Sequence, residues 1–153
     1  MKQYILTTAS FLFLFAMACN NADKEEKPTS ENDIDAARNF IRSALDGKFN
    51  EAKTFLLADS SNNQYFDVYE RNYQRTDPDT KRNYREATIN IHNVNAVNDS
   101  TTVVIFSNSY KNDHDTLKVI KKNNQWLVDF KYLFNHDNDT LNVPPPIKKD
   151  TLK

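Results

Sequence analysis

The sequence TVVIFSNSY at residues 102–110 decides the fold of this chain. Its side chains alternate, so that Thr102, Val104, Phe106, Asn108 and Tyr110 share one face of an extended strand. A period of two over this length is typical of a strand with one buried face. We therefore predict that residues 102–110 belong to a β-sheet with its inner face toward a core.

Three other alternating stretches, within residues 86–91, 117–120 and 126–132, surround this strand in the sequence. Asn98-Asp99, Asn112-Asp113 and Asn123-Asn124 separate the alternating stretches, and such pairs are turn signals. The pattern predicts a four-stranded antiparallel meander. The residues predicted to face inward on the three other strands are Ile89, Ile91, Leu117, Val119, Trp126, Val128, Phe130 and Tyr132.

Before the sheet, apolar residues recur at helical spacing. We predict a first helix that begins at a Ser30 cap and ends at Gly47, a short second helix capped by Asn50, and a third helix. A last helical turn follows Asp77-Pro78. The sequence therefore predicts an α+β fold in which N-terminal helices pack on a curved four-stranded antiparallel sheet. The apolar positions of the first and third helices are Ile34, Ala37, Ile41, Ala44, Leu45, Tyr65, Phe66, Tyr69 and Tyr73.

The first 19 residues have the three parts of an export signal. Lys2 supplies a positive charge, residues 5–15 form a short apolar run, and Ala16-Met17-Ala18 precedes Cys19. A transmembrane helix needs about 20 apolar residues, so this run is too short to remain as a membrane span. We predict a lipoprotein signal peptide over residues 1–18 and, because residues 19–30 are polar and charged, a flexible tether there.

Residues 16–19 resemble the lipobox of bacterial lipoproteins, in which the cysteine receives a diacylglycerol and its new amino group is acylated. The resemblance implies a lipid anchor at Cys19, since several acyl chains hold a protein where one is marginal. The alternative is an ordinary signal peptide with a cysteine nearby. By analogy with the sorting of known lipoproteins, Asn20 rather than aspartate after the cysteine favours the outer membrane of a cell envelope. Lys24-Glu25-Glu26 resembles a surface-export signal, so the periplasmic and surface faces both stay open.

Composition excludes several classes of function. The chain carries 20 basic and 21 acidic side chains, which argues against a nucleic-acid partner because such proteins show a basic patch. Its only glycine, Gly47, cannot supply a nucleotide-binding loop, so we predict no cofactor. With Cys19 as the only cysteine, the domain at residues 31–134 folds without a disulfide. Residues 135–153, with Pro144-Pro145-Pro146, are predicted to be a disordered tail.

Several short motifs together resemble a known superfamily. They are the stretch from Ala36-Ala37 to Leu45 in the first predicted helix, the sequence DGKFNEA that follows it at residues 46–52, and WLVD at residues 126–129. They resemble small lipoproteins of unknown function in the nuclear transport factor 2-like (cystatin-like) superfamily. The resemblance implies a cystatin-like cone, a curved sheet wrapped round helices with a cavity between them. That superfamily includes isomerases, dehydratases, cyclases and domains without a known activity, so the fold does not choose among them.

Catalytic members of that superfamily place an acid or base on the inner sheet face, opposite a tyrosine donor. Here strand alternation turns Asp129 away from that face, and we predict no catalytic residue. The three histidines, His92, His114 and His136, lack metal-binding spacing, so no metal site is predicted. Side chains that could line a pocket, or alternatively form an aromatic core with hydroxyls at its rim, are Tyr65, Tyr69, Tyr73, Phe106, Trp126, Phe130 and Tyr132.

Four short motifs, each an acidic residue followed by a hydroxyl residue and a small or aliphatic one, resemble acceptors for protein O-glycosylation in some Gram-negative bacteria. Aspartate and threonine are also ordinary residues at turns and strand edges, so the pattern has a second explanation. The hydroxyl residues of these motifs are Ser100, Thr116, Thr140 and Thr151.

The leading functional hypothesis is a lipid-anchored cell-envelope protein whose α+β domain binds a small ligand or an envelope protein, without catalysis. The alternative is an isomerase- or dehydratase-like enzyme that uses pocket tyrosines as donors, with His92 as a base. A third possibility is a structural or immunity-type surface module. A closed pocket with a titratable group facing the tyrosines would favour the enzyme.

Overall fold

The computed structural model describes residues 28–135 and confirms the predicted α+β fold. Residues 1–27 and 136–153, which include the predicted signal peptide, Cys19, most of the tether and most of the tail, lie outside the described residues. The elements in chain order are α1 Asp33–Asp46, α2 Phe49–Thr54, α3 Ser60–Arg75, α4 Pro78–Glu86, β1 Ile89–Asn98, β2 Thr101–Asn108, β3 Asp115–Lys122, β4 Gln125–Asp129 and α5 Tyr132–Asn135.

The four strands form one antiparallel sheet in the order β1-β2-β3-β4, as a meander predicts. Asparagines make two of its connections: Asn112, Asn123 and Asn124 take φ values of 58°, 50° and 62°. Asparagine is enriched in this left-handed region because its short side chain tolerates it. The turn signals in the sequence therefore reflect real backbone requirements in this protein.

The core lies between the sheet and the helices. Val104 of β2, Leu117 of β3 and Val128 of β4 are fully buried on the sheet, and Phe40 of α1 and Phe66 of α3 cover them. Burying such a side chain stabilises a fold by about 1.5–3 kcal/mol relative to leaving it exposed. The inner face predicted from strand alternation is the one that faces this core.

The helix ends differ in detail from the predictions. The α1 cap is Asn32, not Ser30, because the Asn32 side chain accepts the Asp35 N–H at 2.9 Å. Helix α2 follows Lys48, without a side-chain cap, so the predicted Asn50 cap is wrong. The predicted last turn is a nine-residue helix, α4. The Arg42 side chain of α1 donates to the carbonyls of Tyr84 in α4 and of Ala87, the residue after the helix.

The last strand is shorter than its alternating sequence indicates. Strand β4 ends at Asp129, and Tyr132 begins the short helix α5. The chain leaves the sheet there because the Lys131 N–H donates to the Asn62 side chain at 2.8 Å, instead of to a strand. Alternation alone does not show where strand pairing stops, since the residues of a following turn can continue the alternating pattern by chance.

Gly47 makes the turn between α1 and α2 possible, with φ at 75°. A Cβ at this position would meet a ring carbon of the buried Tyr73 at 2.9 Å, so backbone and packing both require glycine.

We expect Gly47→Ala to lower the free energy of unfolding by about 1–3 kcal/mol, because alanine at positive φ is strained and pushes against Tyr73. Urea denaturation followed by circular dichroism measures this. The adjacent, exposed Lys48→Ala is the control, with an expected change within about 0.5 kcal/mol. Equal stability of Gly47→Ala and the parent would contradict this account of the turn.

Candidate functional site

Aromatic rings in mutual contact fill the space where the sequence predicts a pocket. Phe66 lies at the centre, with ring centroids 5.6 Å from both Phe40 and Phe130, and 5.9 Å from Tyr69. The rings of Phe40 and Phe130 are themselves 5.4 Å apart. These are packing distances for aromatic pairs. The predicted pocket residues Phe130 and Tyr69 therefore lie within a packed aromatic cluster.

Two of the predicted donor tyrosines hold the end of α1. The Tyr73 hydroxyl donates to the Leu45 carbonyl at 3.0 Å, and the Tyr69 hydroxyl donates to the Ala44 carbonyl at 3.4 Å. The last carbonyls of a helix lack partners within it. The Tyr73 phenol supplies a partner for the Leu45 carbonyl, and the Tyr69 phenol adds a second hydrogen bond to the Ala44 carbonyl, which also accepts the Gly47 N–H at 3.2 Å. Burial is the largest cause of the raised pKa of Tyr69, which keeps this hydroxyl protonated.

The remaining predicted pocket residues are divided among different surroundings. Tyr65 stacks on Phe134 with ring centroids 4.9 Å apart, and Phe106 belongs to the core. Trp126 packs half-buried against the core, with the Lys121 ammonium 5.5 Å from its ring centroid. Tyr132 is buried but belongs to α5, where the Lys118 ammonium lies 4.3 Å from its ring centroid. Lys118 lies opposite Asp129 and alternates with the core residues Leu117 and Val119, so it is on the sheet face away from the core. Tyr132, which contacts Lys118, therefore lies apart from the inner cluster.

A second aromatic group, which we call the tyrosine rim, leads from the core to the surface. It consists of Tyr73, Tyr84 and Tyr110. The rings of Tyr73 and Tyr84 are 6.3 Å apart, and the Tyr84 ring contacts the Tyr110 ring edge-on at 5.1 Å. Tyr110, at the outer end, is 39% exposed. The rim thus presents aromatic surface to solvent while its inner end stays anchored in the core.

Acidic groups surround the rim. Asp115 lies opposite Phe106 in the β2–β3 register, so it occupies the core-facing side of the sheet. The pKa of Tyr84 is raised by burial first, then by the nearby Tyr110, Asp115 and Asp113, whose negative charge disfavours a phenolate. The rim and its surroundings therefore combine phenol hydroxyls, aromatic edges and carboxylates. Alternation alone did not reveal this arrangement, because Tyr84 and Asp115 lie 31 positions apart in the sequence.

Asp129, which the alternation turns away from the inner face, is buried in a polar network. The Asn62 amide donates to Asp129 at 3.0 Å and to Asp59 at 2.9 Å. The Lys131 ammonium lies 3.0 Å from Asp59 and 3.5 Å from Asp129. The pKa of Asp59 is lowered first by the Asn62 backbone N–H and then by Lys131, while the Asp59 hydrogen bond raises that of Lys131. The network ties the start of α3 to the end of β4.

The histidine proposed as a base lies on the other side of the sheet from the tyrosines. The His92 Nε2 is 2.8 Å from the Ser107 hydroxyl, and Ser107 alternates with the core residue Phe106. The His92 and His114 rings are 4.1 Å apart. Among residues 28–135, no three His, Cys, Asp or Glu side chains form a group that could hold a metal ion. The structure thus does not bring His92 to Tyr65, Tyr69 or Tyr73.

Two predicted glycosylation positions fall within the described residues. Ser100 is exposed in the turn between β1 and β2, where its hydroxyl donates to the Asn98 side chain at 3.1 Å. Thr116, by contrast, is only 5% exposed within β3. Thr140, Thr151 and Cys19 lie outside the described residues. Of these two predicted positions, Ser100 is exposed and Thr116 is buried.

An open depression of about 350 Å³ lies where α1 meets α2, lined by residues 47–51 and Glu70. It is shallow and carries charged side chains of both signs. In the described part of the chain, no helix combines the length and the apolar character that crossing a bilayer requires.

Comparisons with known proteins give one structural likeness. No protein-family model matches the chain, and no curated protein matches it. A solved structure, described as an NTF-2 like protein of unknown function from Shewanella oneidensis MR-1, is similar over 62% of this chain and 89% of that one. The two sequences are 11% identical and the TM-score is 0.46.

The polar network offers a test of its structural role. We expect Asn62→Ala to lower the free energy of unfolding by about 2–4 kcal/mol, because it leaves the Lys131 N–H and the buried Asp129 carboxylate without their amide partner. Chemical denaturation measures the loss. The exposed neighbour Asn63→Ala serves as the control and is expected to change stability by less than about 0.5 kcal/mol. Similar stabilities for the two variants would remove this role from Asn62.

Proposed function

We propose that this chain is a lipid-anchored cell-envelope protein whose α+β domain binds a small ligand or an envelope protein at the tyrosine rim, without catalysis. The observation that carries the proposal is the rim itself, in which Tyr84 and Tyr110 extend the aromatic core outward to solvent. Tyrosine is enriched at recognition surfaces because it offers a rigid apolar ring with a polar tip.

The surroundings of the rim support binding. Lys111 places its ammonium 5.8 Å from the Tyr110 ring centroid, and Lys81 lies 5.9 Å from that of Tyr73. With Asp113 and Asp115 near Tyr84, the rim is bordered by charges of both signs. An aromatic centre with a polar border is the usual anatomy of a protein recognition surface.

The absence of catalysis in this proposal is supported by the positions of the candidate groups. Tyr69 and Tyr73 donate their hydroxyls to backbone carbonyls of α1, and His92 lies against Ser107 on the other sheet face. A general base must reach the proton it removes within about 3 Å, directly or through one water. The arrangement of these three side chains therefore favours binding.

The anchor is supported by the sequence of residues 16–19, where small residues precede the single cysteine. We expect a palmitate analogue fed to the native cells to label the full-length chain, and Cys19→Ala to abolish the label. Ser30→Ala, beyond the signal, is the matched control and should label like the parent. A parent chain without label, or equal label in Cys19→Ala, contradicts lipid anchoring.

The rim can be tested with a photo-crosslinking amino acid placed at Tyr110 in the full-length chain in its own cells. We expect a discrete adduct from position 110 and none from Val68, an α3 residue with a similar exposure, 42% against 39%. For a small ligand, thermal-shift screening should find a compound that stabilises the parent chain and binds Tyr110→Ala about tenfold more weakly or worse, whereas Val68→Ala binds normally. If neither approach separates position 110 from position 68, the rim is not the binding surface.

A further inference from the structure

Strand β1 leaves a long open edge on the sheet. It spans ten residues, against five in β4 at the opposite edge. The outer side of β4 is partly covered, since Val128 exchanges backbone hydrogen bonds with Phe55 and Leu57 at 2.8 and 2.9 Å. In the part of the chain that the structure describes, no strand pairs with the outer side of β1. Its outward backbone N–H and C=O groups are therefore available to another strand.

The side chains of β1 do little to block such pairing. Natural edge strands are protected by charged residues, especially lysine, by proline, or by β-bulges that twist the edge away. The β1 sequence, INIHNVNAVN, contains no Asp, Glu, Lys, Arg or proline, although charged residues make up 27% of the whole chain. Val94 and Val97 are 39% and 45% exposed. Register shifts between Ile91 and Asn93 and between Ala96 and Asn98 interrupt the strand, so residues 93–96 form a regular stretch between two bulges.

This regular stretch is complementary to itself. A two-fold axis perpendicular to the sheet pairs a strand antiparallel with its copy. Residues opposite each other then point to the same face of the sheet only when the axis lies midway between the two copies of one residue. Centred on Val94, the pairing sets Val94 against its counterpart and Asn93 against Asn95 of the second copy. Centred on Asn95, it sets Asn95 against its counterpart and Val94 against Ala96 of the second copy.

Both registers pair groups that attract each other. An asparagine amide both donates and accepts hydrogen bonds, so it can bond to another asparagine, whereas like charges placed opposite each other repel. The valine and alanine side chains meet as apolar pairs. The absence of charge, which leaves the edge unprotected, thus also makes a second copy of the same strand a fitting occupant.

We propose that two copies of this chain associate through the outer edge of β1, by antiparallel pairing of residues 93–96 across a two-fold axis at Val94 or Asn95. The pairing joins the two four-stranded sheets into one of eight strands. The contact is isologous, so it closes as a dimer and leaves the β4 edges at the outside. It is separate from the tyrosine rim and does not depend on the proposed ligand.

Cysteine substitution in the full-length chain in its own cells tests the proposal directly. Residues opposite each other in an antiparallel pair have Cα atoms about 4.5–5.5 Å apart, which lies within the disulfide range. We expect Val94→Cys or Asn95→Cys, whichever lies on the axis, to form a disulfide-linked homodimer on oxidation with copper phenanthroline. Val68→Cys, equally exposed on α3, and the parent chain with Cys19 alone measure the background.

A blocking variant separates edge pairing from chance collisions. Adding Val97→Lys and Asn93→Lys to the cross-linking variant should reduce the dimer at least about tenfold. In the register centred on Asn95, the charge introduced at position 93 lies opposite the one introduced at position 97 of the second copy. In the register centred on Val94, the two charges introduced at position 93 are diagonal neighbours. Adding Val68→Lys instead should leave the dimer unchanged. Equal protease resistance of all variants checks that they are folded. A monomer at both positions, a dimer equal to that of Val68→Cys, a dimer insensitive to the lysines, or an adduct with a different protein each overturns the proposal.

Discussion

The contact of Phe66 with Phe40 and Phe130 is the interaction on which the rest of this structure depends. These three rings come from α3, α1 and the segment after β4, and they meet at 5.4–5.6 Å. The chain has a single cysteine and therefore no internal disulfide, so apolar burial holds the helices on the sheet. Truncating a buried phenylalanine costs a protein about 3–5 kcal/mol, a large part of the stability of a domain of this size.

The same packing is the reason why the proposed recognition surfaces lie outside the interior. Because rings occupy the space between helices and sheet, the tyrosine hydroxyls that reach inward serve the carbonyls at the end of α1. The proposed recognition groups lie where the aromatic cluster meets solvent, at Tyr84 and Tyr110, and along the uncharged edge of β1. A buried polar network at Asn62 ties α3 to the end of β4.

Particular residues show how far the sequence predicted the structure. The alternation at Val104, Leu117 and Val128 correctly placed these side chains in the core, because burial on one face imposes a period of two. Alternation failed after Asp129. The side chain of Asn62, 67 positions earlier, donates to the Asp129 carboxylate and accepts the Lys131 backbone N–H, and the strand ends there. The tyrosine rim was missed for a similar reason, since the Tyr84 and Tyr110 rings, 26 positions apart in the sequence, meet only once α4 has packed against α1.

By itself, the sequence determined the class of fold, the order of its elements and the position of its turns. Those features follow from local chemistry: Gly47 accepts positive φ, asparagines accept the left-handed region, and apolar periodicity selects a helix or a strand. The tertiary structure alone decided which polar groups meet, that Tyr69 and Tyr73 serve α1, and that His92 faces away from them. These outcomes depend on distances between residues far apart in the chain, and such distances exist only once the core has formed.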